Sequence, residues 1–129
     1  MQRKAITMVF VFLLAIEATA AIAQAETLSW NAVTTYTDGS SIGSATVTYQ
    51  AYWSTNSGTS GLNPLGSSGT SRSRTFNVDT EGMPRGQAIY FRSRATVAGT
   101  NSAYSSAFQW TVPAATPKVP SAPNNLQMN

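Results

Sequence analysis

Short runs in which hydrophobic and polar residues alternate occupy positions 27–112, and Gly, Ser, Asn and Asp separate them. A period of two residues is that of a strand with one face in a core, and no stretch repeats at the helical period. Strands are expected at 27–33, 45–54, near 62–66, at 73–79, 88–97 and 107–112. The pattern predicts an all-β sandwich of about six or seven antiparallel strands.

Two long strands separate their side chains into an inward and an outward set. The inward set is Val47, Tyr49, Ala51 and Trp53 in the first strand and Ile89, Phe91, Ser93 and Ala95 in the second. The outward set is Thr48, Gln50 and Tyr52, then Tyr90, Arg92, Arg94 and Thr96. An inward serine needs a hydrogen-bond partner, so the packing around Ser93 is expected to be unusual.

The N-terminal segment has the layout of a secretory signal peptide. A basic start, MQRK, precedes the apolar run AITMVFVFLLAI, and two A-x-A motifs follow at 21–23 and 23–25. The apolar run is too short to span the roughly 30 Å of a bilayer core. We therefore expect export, cleavage after Ala25 and a mature chain with no integral membrane segment. A retained anchor is the alternative.

After Val112 the composition changes to a proline-rich tail. Four of the six prolines stand at positions 113, 117, 120 and 123. Proline removes backbone donors and favours extended geometry, so 113–123 is predicted to be a semi-rigid linker. The expected organisation is a signal peptide at 1–25, a sandwich at 26–112, and a linker with one possible strand at 113–129.

Composition leaves little chemistry for catalysis or metal binding. The chain has no His and no Cys, which removes the commonest general base, the most nucleophilic side chain and any disulfide. Glu26, Asp38, Asp79 and Glu81 are the mature carboxylates, too dispersed for a calcium shell. Six basic residues against these four give a net charge of +2, too weak for nucleic acid. We expect no enzyme, no cofactor, no metal and no nucleic-acid partner.

Four pieces of the sequence, in order, resemble a fibronectin type III domain. They are LSW with Trp30, DGSSI followed by Tyr49-x-Ala51, MPRGQAI at 83–89, and FRSRA followed by Gly99 and Ser105. The resemblance covers 27–112 and implies an immunoglobulin-like β-sandwich that acts as a binding or structural module. Three residues depart from the family pattern: Ile89 stands where a corner tyrosine is usual, Arg85 where proline is usual, and Ser93 where a core valine is usual.

The largest departure lies at the front of the domain. The family opens with a strand of the form P-x-x-P-x-N-L before the tryptophan strand, whereas here the similar segment VPSAPNNLQMN stands at 119–129. Without a leading strand, the tryptophan strand is a sheet edge that accepts an added strand. The expected donor is Asn125, Leu126, Gln127 and Met128. The expected acceptor is Thr27, Leu28, Ser29 and Trp30.

The donor strand has three destinations: its own domain, a second copy, or none. An extended 113–123 segment reaches ~34 Å, and a domain of this size is ~35–40 Å long, so pairing within the chain is barely feasible. Pairing with a copy stacked head to tail needs less reach and builds a fibre, because such an interface does not close. The sequence therefore favours a secreted module that self-assembles or attaches to a surface, and the other two destinations stay open.

A different surface supports the alternative function. Tyrosine beside arginine is typical of surfaces that bind proteins or sugars. The candidate binding face consists of outward residues on the two long strands, Gln50, Tyr52, Tyr90, Arg92 and Arg94. These residues favour monomeric recognition of a glycan or a protein. An ordinary solvated sheet face is the other interpretation.

Overall fold

The computed structural model describes residues 25–116, 119–124 and 126–128. The predicted signal peptide, apart from Ala25, lies outside the described residues, and so does Asn125 of the predicted donor strand. The described residues contain antiparallel strands and no helix, and hence no helix long and apolar enough to cross a membrane.

Seven strands make up the described part of the fold. They are β1 (Ala25–Ser29), β2 (Val47–Ser54), β3 (Asn63–Gly69), β4 (Ser73–Asn77), β5 (Ala88–Val97), β6 (Thr100–Asn101) and β7 (Phe108–Thr111). β1 and β4 form a two-stranded sheet, while β3, β2 and β5 form the second sheet, in which β6 and β7 both pair with β5. The predicted all-β sandwich is confirmed, and β5 has the predicted bounds.

The first predicted strand, 27–33, is wrong at both ends. β1 begins at Ala25 and ends at Ser29, although the N–H of Trp30 still donates to Arg72 O at 2.9 Å. Val33 is buried, which extends the alternating pattern, but its N–H donates to the phenol oxygen of Tyr49 at 2.9 Å instead of to a strand. Val33 is therefore buried without belonging to a strand, which is why alternation of polarity predicts a longer strand than the backbone forms.

Four other strand predictions differ in their bounds. The strand expected at 45–54 begins at Val47, and the strand expected at 107–112 spans Phe108–Thr111. The strand expected near 62–66 extends to Gly69, and the strand expected at 73–79 ends at Asn77. At Asn77 the side-chain oxygen accepts hydrogen bonds from the N–H groups of Asp79 and Thr80, at 2.9 and 3.1 Å. An asparagine side chain that caps its own following turn ends the strand there.

An aromatic cluster joins the two sheets in the core. Phe76 of β4 lies with its ring centroid 5.4 Å from that of Phe91 and 6.0 Å from that of Trp110. Trp30 packs against Tyr49 at a centroid distance of 6.0 Å. The inward residues of β2 and β5 are buried as predicted, except that Val47 is only half-buried. These rings supply the apolar burial that a domain without disulfides depends on.

In the segment that connects β6 to β7, two serine residues form hydrogen bonds with β5. The N–H groups of Ser102 and Ser105 donate to Ala95 O and Ser93 O, each at 2.8 Å. In return, the hydroxyl of Ser102 accepts from Ala95 N–H at 3.0 Å, and the hydroxyl of Ser105 accepts from Ser93 N–H at 2.9 Å. Hydroxyl oxygens thus replace two backbone carbonyls, and residues 102–107 follow β5 without forming a regular strand.

Arg74 connects the two sheets at the side where β3 lies near β4. Its guanidinium donates to Ser67 O, and its side chain lies against Gly66, where a Cβ would come 2.9 Å from Nε. Gly66 has a φ of +72°, a backbone conformation that side chains other than hydrogen rarely adopt. The positive φ of Gly66 therefore favours glycine, and any larger residue here would also displace the Arg74 side chain.

Candidate functional site

The predicted acceptor strand, β1, forms one side of the two-stranded sheet. It pairs with β4 in the register Leu28↔Arg74, and Trp30 continues the pairing through its hydrogen bond to Arg72 O. In an antiparallel pair, hydrogen-bonded and non-hydrogen-bonded positions alternate. Since Trp30 is hydrogen-bonded, the N–H and C=O of Thr27 point away from β4. Among the described residues, β1 pairs with β4 alone.

Glu26 lies in β1 beside Thr27, and its side chain is buried on the core side of the strand. The residue is 1% exposed, and neither carboxylate oxygen has a hydrogen-bond partner among the described residues. Desolvation by burial raises the pKa of this carboxyl above its ordinary value. An inward-pointing charge next to an edge strand weakens indiscriminate pairing of that edge. The sequence alone indicates no role for Glu26 beyond that of one of four dispersed carboxylates.

The described part of the tail, 119–124 and 126–128, forms no strand. Leu126 is 93% exposed, Val119 is 87% exposed, and Met128 is fully exposed. Pairing of the tail with its own domain, one of the three destinations left open by the sequence, is therefore not seen among these residues. Three large apolar side chains in one exposed segment are typical of an interaction site.

The candidate binding face is assembled by the register of β2 and β5. Tyr52 lies opposite Arg92, and Gln50 lies opposite Arg94. Tyr90 is on the same face, opposite Ser54. The structure therefore brings the predicted residues onto one surface of the five-stranded sheet.

Two of these residues are occupied by contacts within the domain. Arg92 donates through Nη1 to Ser105 O at 2.7 Å and through Nη2 to Ser57 O. Gln50 donates through Nε2 to Gly66 O at 3.0 Å and to Ala51 O at 2.9 Å. Each side chain fixes neighbouring backbone segments, so Arg92 and Gln50 are structural residues of the face.

Arg94 has a different environment, created by Tyr104. The Arg94 guanidinium carbon lies 4.9 Å from the centroid of the Tyr104 ring, and Tyr52 meets that ring edge to face at a centroid distance of 5.6 Å. A cation above an aromatic face is stabilised by the ring quadrupole. Tyr52, Arg94 and Tyr104, here called the Tyr–Arg cluster, form a compact group at the surface.

Tyr104 is the residue of this cluster that the sequence analysis missed. It lies between β6 and β7, in the stretch that follows β5 through serine side chains. That stretch has no alternating pattern, so no periodic signal indicates which of its side chains lie on the sheet face.

Two charged residues at turns pair with each other. Arg85 and Asp79 form a bidentate ion pair, with Nη2–Oδ2 at 2.7 Å and Nε–Oδ1 at 2.9 Å. The hydrogen bond from Arg85 lowers the pKa of Asp79 and keeps this carboxylate ionised. Within residues 25–116, 119–124 and 126–128, no three Asp or Glu side chains come together as metal ligands.

Comparison with known proteins identifies the fold. The chain resembles a solution structure of a human fourth FNIII domain, with 16% identity, a TM-score of 0.59 and coverage of 93% of this chain and 88% of that one. It also resembles a fibronectin type III domain derived from the human KIAA0970 protein, with 15% identity, a TM-score of 0.58 and coverage of 93% and 84%. No protein-family model and no curated protein sequence matches. The chain therefore has the fibronectin type III fold, as its sequence motifs predict.

Proposed function

We propose that this fibronectin type III-like domain is a secreted, non-enzymatic structural module that self-associates head to tail. In this arrangement, residues 125–128 of one copy add as a strand to β1 of the next copy. The observation that carries the proposal is the exposure of Leu126 and Met128 beyond a proline-rich linker, in a chain whose β1 pairs with β4 alone among the described residues. Each copy has one donor and one acceptor, so assembly continues into a fibre.

The orientation of β1 supports strand addition at Thr27. Its N–H and C=O point away from β4, so an added strand gains main-chain hydrogen bonds without disturbing the β1–β4 pair. Alternate side chains of the donor, Leu126 and Met128, would then enter the core side of the sheet, while Gln127 would face solvent. Burial of two large apolar side chains stabilises each junction by about 3 kcal/mol or more.

Substitutions at alternate tail positions test the donor strand. Leu126→Asp places a charge on the inward face and is expected to abolish assembly, whereas Gln127→Asp places the same charge outward and is expected to preserve it. Analytical ultracentrifugation of the secreted chain over a range of concentrations measures both. Equal behaviour of the two variants, or a monomer at every concentration for the unaltered chain, would contradict the proposal.

A mixing experiment tests the direction of assembly. Thr27→Pro removes the outward N–H of the acceptor while leaving the β1–β4 hydrogen bonds in place, so this variant keeps only its donor. Leu126→Asp keeps only its acceptor. Each variant alone is expected to be monomeric, and an equimolar mixture is expected to stop at a dimer. A mixture that stays monomeric, or that grows beyond a dimer, would exclude head-to-tail strand donation.

A further inference from the structure

The five-stranded sheet carries arginine and no carboxylate. Its strands β2, β3, β5, β6 and β7 contain no Asp or Glu, and neither do the adjoining loops at 55–62 and 98–107. In the described part of the chain, the salt bridge of the domain is the Arg85–Asp79 pair at the turns. The charge of Arg94 is therefore not neutralised by this domain.

Arg94 is held in place by a ring instead of by an acceptor. The Tyr104 ring lies 4.9 Å from its guanidinium carbon, and Tyr52 supports that ring from the side. This contact uses the face of the guanidinium and leaves its N–H edge free to donate. Arg92 differs, because its N–H groups are bonded to two loop carbonyls. The Arg94 guanidinium is thus held in a fixed position by the Tyr104 ring, and it donates to no acceptor among the described residues.

We propose that the Tyr–Arg cluster binds a carboxylate side chain in an acidic segment of a protein partner. The planar N–H edge of an arginine matches a carboxylate in a bidentate geometry. Tyrosine and arginine at the centre of a patch are also the residues that contribute most to protein interfaces. A sugar ring would need a free aromatic face for stacking, and Arg94 covers a face of Tyr104. The contact is therefore made through the guanidinium, and Tyr52 and Tyr104 supply the surrounding apolar surface.

Binding of poly-L-glutamate, measured by calorimetry at low salt, tests the proposal. Arg94→Gln is expected to weaken binding about tenfold, because a charge-assisted bidentate contact is lost. Arg72→Gln, at an exposed arginine near β4, removes the same charge and is expected to change binding much less. Tyr104→Phe keeps the ring below the guanidinium and is expected to preserve binding, whereas Tyr104→Ala is expected to weaken it.

Three outcomes would overturn this assignment. One is that the unaltered chain does not bind poly-L-glutamate. Another is that Arg94→Gln and Arg72→Gln weaken binding equally, which would indicate unspecific charge attraction. Tighter, Arg94-dependent binding of polygalacturonate, an acidic polysaccharide, would replace the protein partner by a glycan. Thermal unfolding of each variant checks that it is folded. Leu126→Asp alters the proposed donor strand and is expected to bind poly-L-glutamate normally. A failure of strand donation can therefore be distinguished from a failure of the Tyr–Arg cluster to bind.

Discussion

Buried polar side chains in this sandwich belong to two groups. Ser102 and Ser105 are satisfied, because each hydroxyl accepts a backbone N–H of β5 and donates to a nearby carbonyl. The hydroxyl of Ser93 and the carboxylate of Glu26 have no partner among the described residues. A buried polar group without a partner costs about 1–3 kcal/mol. The Nε groups of Arg74 and Arg92 are also buried without an acceptor among the described residues, so at the residue scale each of these four positions costs stability.

Glu26 predicts a dependence of stability on pH. Burial raises its pKa in the folded state, so the folded protein holds the proton more tightly than the unfolded chain. This carboxyl then contributes no penalty below its ordinary pKa of 4.5, and folding stability falls as the pH rises through the raised value. Glu26→Gln removes the charge but leaves a buried polar group, so it is expected to raise the free energy of unfolding by about 1 kcal/mol at neutral pH and to change it less in acid.

Urea denaturation of Glu26→Gln and of the unaltered chain, at neutral and acidic pH, measures this effect. Glu81→Gln is the matched control, since it removes the same charge from a turn outside the core. A gain for Glu26→Gln that is the same at both pH values would show that the ionised carboxylate is not the cause.

At the scale of elements, the β5–β6 hairpin has an unfavourable residue in its turn. Val97 pairs with Thr100, and the two intervening residues, Ala98 and Gly99, have φ values of +48° and +77°. Positive φ at both positions is the geometry of a type I′ turn, which favours Asn-Gly. Alanine in this conformation is strained by roughly 1 kcal/mol.

Ala98→Asn is therefore expected to stabilise the domain by about 0.5–1 kcal/mol. Differential scanning calorimetry measures the change as a rise in Tm. Ala103→Asn is the control at an exposed alanine for which no positive φ is found, and it is expected to leave the Tm almost unchanged. Equal shifts in the two variants would indicate a general effect of asparagine and not relief of the turn.

The sequence predicts the strands whose two faces differ in polarity, and it fails where another interaction replaces the strand pattern. β5 has its predicted bounds because its ten residues alternate without interruption. The alternating pattern predicts too long a first strand, because Val33 is buried outside any strand and its N–H donates to the phenol oxygen of Tyr49. The candidate binding face follows from alternation, but the separate roles of Arg92 and Arg94 depend on loop contacts that no local pattern encodes.

At the scale of the whole molecule, the two sheets are joined by the aromatic core and by Arg74 at one side. Phe76 of the two-stranded sheet contacts Phe91 and Trp110 of the five-stranded sheet, which also contact each other. Arg74 of β4 reaches Ser67 O and lies on Gly66, so it connects the sheets near the surface. The relative position of the sheets therefore depends on a glycine as well as on apolar burial.

Gly66→Ala is expected to destabilise the domain by more than Gly43→Ala. Both glycines have positive φ, at +72° and +64°, so backbone strain is similar and amounts to roughly 1–2 kcal/mol. A Cβ at Gly66 also displaces Arg74, whereas a Cβ at Gly43 meets nothing within 4 Å. Chemical denaturation measures the difference. If the two variants lose equal stability, the Arg74 contact does not hold the sheets together.

If the proposed head-to-tail assembly forms, the absence of carboxylates from the five-stranded sheet would govern how neighbouring filaments meet. Copies arranged head to tail would repeat Arg92 and Arg94 along the filament, so filaments meeting on this side would present like charges to each other. Single filaments are then favoured in dilute buffer, because repulsion acts over a Debye length of about 10 Å at 0.1 M salt. Lateral bundling would follow when salt screens these charges or when a polyanion bridges adjacent filaments.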